Sequence, residues 1–393
     1  MVKPWDTATI GDFLDFKNGL NKGKEFFGYG TPIVNYTDVY KKRGLKKTDI
    51  HGRVCLTPDE IHRFDVRKND VFFTRTSETP DEVGMSSVLL EDVENGVFSG
   101  FVLRGRPKND MFIPEYCKYC FSTEAVRNAI ITGCTYTTRA LTNGKQLSAI
   151  EIPVPPKPEQ EAIATALSDI DALIANLEKL IAKKKAIKQG TMQELLTGKR
   201  RLPGFEGKWK DEPMDAYIDF QMGFPFSSVY FNDGSGGLRL VKNRDLKSDD
   251  QIYFTSEVYS PEYIVENGDI LVGMDGDFLP CRWQKGKALL NQRVGRLLPK
   301  KNMAGLFAYY ALQKPLMELE NGTGATTVKH LSHGDIKKLI VPMPPTIEEQ
   351  MAIAEVLSDM DSEIEKHEQN LAKYRLIKQG MMSELLTGRI RLL

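Results

Sequence analysis

The chain has 393 residues, 41% hydrophobic and 27% charged, which is ordinary for a globular protein and too long for a single hydrophobic core. The 53 basic residues balance 53 acidic ones, so the whole-chain charge does not attract a polyanion, although local basic patches remain. No apolar run is long enough to span a bilayer and the first residues lack a signal-peptide core, which excludes a membrane-spanning protein and predicts a cytoplasmic location.

Residues 1–152 predict a mixed α and β domain. Apolar runs at 32–36, 71–75 and 97–103 have strand character, and turns rich in Gly and Asp separate them. A helix is predicted from Pro114 to about Ile131, because a proline in the first turn opens the segment. A strand at 150–152 closes the domain.

Residues 153–202 predict a long helix, and residues 342–393 repeat it. The copies run from PVPPKPEQEAIA to IKQGTMQELLTG and from PMPPTIEEQMAIA to IKQGMMSELLTG, and they stay in register without a gap from Gln160 and Gln350 onward. A repeat of this length predicts one structural unit used twice. About 38 helical residues would make a rod of roughly 55–60 Å.

Local signals mark the ends of these helices. Pro158 opens the first copy, and Thr346 with Glu349 forms a capping-box pattern in the second. Gly198 and Gly388 suit a left-handed C-terminal cap. Glycines at 190 and 380 are candidate bends within the helices.

Apolar residues in each copy recur at spacings of four and three, which predicts a heptad seam. The seam residues are Ile163, Leu167, Ile170, Ile174, Leu177 and Ile181 in the first copy, and Ile353, Leu357, Met360, Ile364, Leu371 and Tyr374 in the second, which His367 interrupts. Both copies begin acidic and end basic, so antiparallel pairing sets acid against base at both ends. The alternative is that each helix packs only on its own domain.

Residues 203–341 repeat the plan of the first domain with little identity. Leu240–Leu246 matches Ile33–Val39, and Asn267–Leu271 resembles Asn69–Phe72. The predicted fold is therefore α+β, with two similar globular domains separated by two long antiparallel helices that form a coiled coil with pseudo-two-fold symmetry.

Enzyme motifs are absent from the sequence. It contains no G-x-x-x-x-G-K-[ST] phosphate loop, and its five histidines are dispersed. Cys117 and Cys120 form a lone C-x-x-C, for which buried thiols of a reduced protein are favoured over zinc. Asp275 and Asp277 are assigned to a turn. We therefore predict no catalytic residue, no cofactor and no metal site.

Basic and hydroxyl-bearing residues recur at matched positions of the two domains and are candidate DNA contacts, since Lys and Arg neutralise phosphates and Arg also reads base edges. The candidates are Lys41, Lys42, Arg43, Lys46 and Lys47 in a basic loop after a strand, Arg75, Thr137, Thr138 and Arg139 in the first domain, and Arg239, Lys242, Asn243, Arg244, Lys247, Thr326, Thr327, Lys329 and His330 in the second. A solvated charge run is the alternative for residues 41–47. His330 either reads a base or faces solvent.

The repeated entry P-x-P-P…E-Q…A-I-A…L-S-D-x-D and exit I-K-Q-G-x-M-x-E-L-L-T-G resemble those of the specificity subunit of type I restriction–modification enzymes, over essentially the whole chain. The resemblance implies target recognition domains at 1–152 and 203–341, each reading half of an asymmetric bipartite site in double-stranded DNA. It implies conserved spacer helices at 153–202 and 342–393.

The resemblance also implies partners that carry the catalysis. Two methyltransferase subunits would flip and methylate adenines, and restriction–translocase subunits would join them. Three other hypotheses remain at this point. They are a stand-alone DNA-binding regulator with a coiled-coil spacer, an enzyme of a new class, and a coiled-coil scaffold without DNA affinity.

Overall fold

The structure, a computed structural model, describes residues 4–234, 236–322 and 330–392. Three of the predicted DNA contacts, Thr326, Thr327 and Lys329, lie outside these residues. No helix within the described part of the chain is long and apolar enough to cross a membrane.

The chain forms two compact units. Unit one comprises Met1–Glu178 with Gln369–Leu393, and unit two comprises Lys179–Glu368. Each unit combines an α+β body with parts of two long helices, so unit one is built from segments far apart in sequence.

The body of unit one contains thirteen strands and six short helices within the described residues. In chain order they are β1 (Asp6–Thr9), α1 (Ile10–Phe13), β2 (Leu14–Asn18), β3 (Phe27–Val34), α2 (Tyr36–Lys41), β4 (Gly44–Leu45), β5 (Arg53–Val54), α3 (Pro58–Arg63), β6 (Val71–Thr74), β7 (Thr76–Ser77), β8 (Ser86–Leu89), β9 (Val97–Phe98), β10 (Val102–Pro107), α4 (Pro114–Cys120), α5 (Glu124–Gly133), β11 (Thr135–Tyr136), β12 (Ala140–Leu141), α6 (Gly144–Ser148) and β13 (Glu151–Val154).

The main sheet of unit one has the order β2-β10-β6-β8-β4. All four residues of β6 are buried, and their side chains alternate between two cores. Phe73 packs with α4 and the long helices, whereas Phe72 packs with Val39, Leu89 and Phe98. Smaller sheets pair β1 with β13, β3 with β5 and β9, and β12 with β11 and β7.

The body of unit two contains eleven strands and three short helices within the described residues. They are β14 (Lys210–Pro213), β15 (Ile218–Met222), β16 (Phe231–Asn232), β17 (Leu238–Val241), β18 (Tyr253–Thr255), β19 (Ile264–Val265), β20 (Ile270–Gly273), β21 (Pro280–Arg282), β22 (Ala288–Leu290), β23 (Val294–Pro299), α8 (Gly305–Ala311), α9 (Gln313–Gly322), α10 (His333–Lys338) and β24 (Ile340–Met343).

The sheets of unit two repeat the plan of unit one. β15-β23-β20-β21 corresponds to β2-β10-β6-β8, and the antiparallel pair β14–β24 corresponds to β1–β13. The parallel pair β17–β22 corresponds to β3–β9. The expected equivalence of the segments around Ile33 and Leu240 is therefore confirmed by strand pairing.

The two long helices are α7 (Lys157–Leu195) and α11 (Ile347–Leu385), each of 39 residues. Gly190 and Gly380 lie inside them without interrupting the helical assignment. Gly198 and Gly388 follow the helix ends with φ of 66° and 69°, which confirms the predicted left-handed caps.

The helices run antiparallel within each unit. In unit one Asp171 pairs with Lys378 and Glu178 with Arg375. In unit two the corresponding pairs are Lys184–Glu363, Lys185–Glu368 and Lys188–Asp361. In each unit the pair farthest along α7, Glu178–Arg375 or Lys188–Asp361, involves the lowest-numbered partner on α11, which confirms the antiparallel pairing predicted from the charges.

The predicted seam is buried most deeply where it also meets a body. Ile163 and Leu167 belong to the core of unit one, and Ile353 and Leu357 to the core of unit two. Farther along, Ile170, Ile181 and Ile364 are buried, whereas Ile174, Leu177, Met360, Leu371 and Tyr374 are partly exposed. Packing on the bodies and helix pairing therefore both contribute.

Several sequence predictions need correction. The helix expected over 114–131 is two helices, because the chain turns at Phe121–Thr123 and the Thr123 side chain caps α5. The strand expected at 32–36 ends at Val34, and the run 97–103 is divided between β9 and β10. The basic loop at 41–47 follows helix α2 rather than a strand, since Lys41 is the last residue of that helix.

Candidate nucleic-acid interface

At the start of each long helix, the Glu of the repeated motif binds two other residues and forms a cluster of three. In unit one the Glu159 carboxylate accepts hydrogen bonds from Arg391 Nε at 2.6 Å and Trp5 Nε1 at 2.9 Å. The Arg391 guanidinium lies 4.9 Å from the Trp5 ring centroid, within cation–π range. We call this arrangement the clasp of unit one.

Unit two contains the same clasp. Glu349 is fully buried and accepts hydrogen bonds from Arg201 Nη2 at 2.7 Å and Trp209 Nε1 at 3.3 Å. The Glu349 side chain therefore does not close the predicted capping box, although its N–H donates to Thr346 Oγ1 at 3.3 Å. The Glu of each repeated E-Q motif therefore binds a tryptophan and an arginine from outside the helix.

The Gln of each E-Q motif fastens the helix to the adjoining body. Gln160 accepts a hydrogen bond from the Ile113 N–H at 2.9 Å and donates to the Met111 carbonyl at 2.9 Å. Gln350 likewise accepts from the Ala304 N–H at 2.8 Å and donates to the Asn302 carbonyl at 3.1 Å. These side chains are buried, so each repeat is anchored by the same polar contacts.

A second aspartate of each repeat binds a tyrosine of the body. Tyr119 donates to Asp171 Oδ2 at 2.9 Å, and Tyr310 donates to Asp361 Oδ2 at 2.7 Å. Burial raises the pKa of both phenols above the ordinary tyrosine value, so both remain protonated donors at neutral pH. Equivalent aspartates of the two repeats thus bind equivalent tyrosines of the two bodies.

Each body contains one site with the same backbone hydrogen bonds and different side chains. The residue that follows β6 in unit one, or β20 in unit two, donates its N–H to the residue just before β10 or β23. Its carbonyl accepts a hydrogen bond from the chain that returns toward the long helix. These bonds join Arg75 to Phe101 and Thr142 in unit one, and Met274 to Arg293 and Leu331 in unit two, at N···O distances of 2.9, 3.0, 3.1 and 2.8 Å.

A second shared turn fixes the neighbouring side chains. Asp38 accepts a hydrogen bond from the Asn35 N–H at 2.9 Å, and the buried Asp245 accepts from the Lys242 N–H at 2.8 Å. Both aspartates therefore stabilise the first turn of a short helix. By this register Tyr36 corresponds to Asn243, and Tyr40 corresponds to Lys247.

We define the matched face as the side chains around the Arg75 and Met274 backbone bonds and the Asp38 and Asp245 turns, together with their direct neighbours. It consists of Tyr36, Tyr40, Thr76, Ser77, Glu78, Glu82, Phe101 and Arg139 in unit one, and of Asn243, Lys247, Asp275, Asp277, Arg293 and His330 in unit two.

In unit one the matched face is aromatic. It surrounds an open cavity of about 340 Å³ lined by Tyr36, Phe101 and Arg139. The rings of Tyr36 and Tyr40 stack with centroids 5.7 Å apart, and Phe101 is 56% exposed. The Tyr40 hydroxyl donates to Glu82 at 2.8 Å, and this bond raises the pKa of Tyr40. Exposed aromatic rings beside an arginine suit stacking and apolar contact with bases.

In unit two the matched face is ionic. Arg293 and His330 both contact the Asp275 carboxylate, at 2.9 and 3.0 Å. Lys247 pairs with Asp277, and this bond raises the pKa of Lys247. Burial acts to raise the pKa of the Asp277 carboxyl, but the pairing with Lys247 and the hydrogen bond from the Leu279 N–H together lower this pKa below its ordinary value. Such side chains suit hydrogen bonding to base edges.

The structure brings some predicted DNA contacts to the matched face and separates others from it. Arg139, Asn243, Lys247 and His330 belong to the face, and Arg75 supplies its backbone frame. His330 pairs with Asp275 as Leu141 pairs with Thr76, so His330 corresponds to Leu141 of unit one. Thr137 and Thr138 are exposed in the adjacent hairpin.

The basic segment of unit one divides according to exposure. Lys41, Lys46 and Lys47 are exposed, and Lys42 pairs with Asp49. Arg43 is directed inward, because its Nη1 donates to Ser122 Oγ at 2.7 Å and burial lowers the pKa of its guanidinium. Arg43 therefore contributes to packing against the α4–α5 corner.

The basic segment of unit two is also partly structural. Arg239 lies 4.9 Å from the Trp283 ring centroid and pairs with Asp249. Lys242 lies 3.4 Å from the Tyr253 ring centroid, and burial lowers the pKa of its ammonium. Arg244 is exposed.

Sequence reasoning missed Phe101 and Arg293 and assigned Asp275 only to a turn. The turn itself is present, since the Asp277 N–H donates to the Asp275 carbonyl at 3.1 Å. Among the described residues no group of three or more His, Cys, Asp or Glu side chains is placed to hold a metal ion. Aligning the two bodies by the Arg75 and Met274 positions is the signal that would have found these residues.

The chain is similar to known proteins. The family described as "Type I restriction modification DNA specificity domain" matches residues 2–189 and 226–374. The EcoBI specificity subunit of Escherichia coli is 34% identical over 189 residues, which cover 46% of this chain and 39% of that protein. The putative MjaX specificity subunit of Methanocaldococcus jannaschii is 24% identical over 408 residues, which cover 98% of this chain and 94% of that protein.

A solved structure has the same fold. The type I restriction–modification S subunit from M. genitalium superposes with a TM-score of 0.62 at 17% identity, covering 97% of this chain and 96% of that one. The family match extends over most of this chain and includes parts of both units. The chain therefore belongs to the type I restriction modification DNA specificity domain family.

Proposed function

We propose that this chain is the DNA-recognition subunit of a type I restriction–modification complex and that each unit reads one half of an asymmetric bipartite site. The observation that supports this most strongly is the matched face. Two bodies share one backbone frame and one set of helix anchors, yet present different side chains at the same place. Two domains that bind the same pair of helices but recognise different half-sites require a shared frame with different exposed side chains.

The proposal assigns residues 1–152 and 203–341 to target recognition domains and residues 153–202 and 342–393 to spacer helices. Its partners are double-stranded DNA, two methyltransferase subunits and restriction–translocase subunits. The chain itself is non-catalytic in this proposal and acts in the cytoplasm. The similarity to specificity subunits over nearly the full chain supports the assignment.

The test is to co-express the chain with a type I methyltransferase subunit of the same host and to map methylated adenines in the host DNA. The expected result is one motif with two specified parts and a fixed unspecified gap. Expression of either protein alone is the control and should leave the motif unmethylated.

Two outcomes would contradict the proposal. One is a contiguous motif, or no motif although the two subunits form a complex. The other is tight sequence-specific binding by the isolated chain that methyltransferase does not change, which would instead indicate a stand-alone regulator. Salt-dependent affinity for DNA distinguishes both from a scaffold without DNA affinity.

A further inference from the structure

One arginine of the matched face in unit two is exposed and yet held in place. The Arg293 side chain is 59% exposed, and its Nη1 lies 2.9 Å from Asp275 Oδ2 and 3.3 Å from Asp275 Oδ1. Within the described residues, no protein hydrogen-bond partner occupies Arg293 Nε or Nη2. With respect to the described residues, the guanidinium is therefore held at Nη1 and keeps its Nε and Nη2 donors available.

Asp275 is itself fixed by other contacts. His330 Nδ1 lies 3.0 Å from its Oδ1, and the Asn243 side-chain amide donates to its carbonyl at 2.6 Å. An exposed ion pair contributes little to stability because water screens it and the side chains lose freedom. Contacts that fix both the carboxylate and its backbone instead pre-orient the arginine, which lowers the entropy lost on binding.

The neighbouring carboxylate does not compete for Arg293. Asp277 pairs with Lys247, so each acid of this turn has its own cation. The available donors of Arg293 match the two major-groove acceptors of guanine, O6 and N7, and this is the commonest specific contact between an arginine and a base.

The equivalent position of unit one cannot make such a contact. Phe101 stands where Arg293 stands, and Thr76 stands where Asp275 stands. The phenyl ring has no hydrogen-bond donor. The two half-sites should therefore differ at the base pair that meets this position.

We propose that Arg293 reads a guanine in the half-site bound by unit two and that Asp275 positions it for that contact. This inference rests on the proposed function and adds to it one specificity-determining residue and the chemistry of the base it reads.

The experiment uses the full chain in complex with methyltransferase, after the wild-type motif has been mapped. Binding is measured for the cognate duplex and for duplexes in which each guanine of the second half-site is replaced in turn. Arg293→Ala should weaken cognate binding about 10- to 100-fold and should abolish discrimination at one guanine only, as expected for loss of a bidentate contact. Asp275→Asn should keep the preference for that guanine and reduce its size.

Arg200→Ala is the matched control. Arg200 belongs to the same unit, its side chain is 55% exposed, and it lies 2.9 Å from the Glu194 carboxylate. Its loss should leave the motif and the affinity unchanged. Arg293→Lys, which keeps the charge without the planar fork, should bind DNA but discriminate less, and it guards against misfolding of the alanine variant.

Unchanged discrimination by the Arg293→Ala complex at every guanine would overturn the inference. So would an affinity loss that is uniform across all duplexes and accompanied by a salt slope reduced by about one, because that pattern indicates a phosphate contact. In either case a wild-type complex that still gives a two-part motif leaves the proposed function standing. A wild-type complex without such a motif would contradict the proposed function instead.

Discussion

The two units are most alike where they hold the long helices and most different on the matched face. Glu159 and Glu349 bind a tryptophan and an arginine in the same way, and Gln160 and Gln350 bind the same two backbone groups. On the matched face, aromatic rings in one unit correspond to ion pairs in the other. Shared anchors allow exposed side chains to diverge because exposed changes cost little stability.

The largest expected effect comes from breaking a clasp. Glu349→Ala leaves Arg201 without its buried partner and should lower the free energy of unfolding by about 3 kcal/mol. Chemical denaturation followed by tryptophan fluorescence measures it. Glu348→Ala is the control, because Glu348 is the exposed neighbour in the same turn. Glu159→Ala should also destabilise, and a loss of less than about 1 kcal/mol in both variants would show that the clasps are not shared supports.

An intermediate effect is expected from transferring the ionic pair to unit one. The double variant Thr76→Asp with Phe101→Arg places the Asp275–Arg293 chemistry on the equivalent frame. It should add a preference for guanine of about tenfold to the first half-site. Methylation mapping and competition binding measure the gain.

Phe101→Arg alone is the control for this transfer and should give a weaker preference, because no carboxylate orients the new side chain. If the double variant methylates the wild-type motif with no change at any base pair, the matched face of unit one does not read DNA.

The smallest expected effect concerns acid. The hydrogen bond from Arg391 lowers the pKa of Glu159 below its ordinary value of 4.5, and the bond from Trp5 acts in the same direction. A lowered native pKa stabilises the fold above the unfolded pKa, and this contribution is lost as pH falls through the native pKa. The stability difference between wild type and Glu159→Gln should therefore shrink below about pH 4.5. A difference that is constant down to the acid transition would contradict this assignment.

The long helices could be predicted from the sequence because their signals are local. Seam spacing, charge order and the cap glycines all act within a few residues, and Gly198 and Gly388 adopt the predicted conformation. The break between α4 and α5 depends on buried Phe121, which packs against Phe73 of the main sheet. That contact is distant in sequence, so helical periodicity alone does not reveal it.

Candidate DNA contacts were harder to predict because charge in a sequence does not indicate its partner. Arg43 and Arg239 resemble their basic neighbours in sequence, yet packing directs both inward. Phe101 and Arg293 lie at sharp corners without a motif of their own. Their equivalence depends on the backbone hydrogen bonds made with Arg75 and Met274, which only the folded chain reveals.

Unit one also includes a segment from far downstream, and this has a consequence during protein synthesis. Leu385 and Leu386 complete a core whose other members come from the first 167 residues. At about 5–20 residues per second, the ribosome takes roughly 10–40 s to add the part between these segments. Until then, the apolar surface that Leu385 and Leu386 will cover stays exposed on the nascent first body. A chaperone or the emerging downstream helix must shield this surface from aggregation.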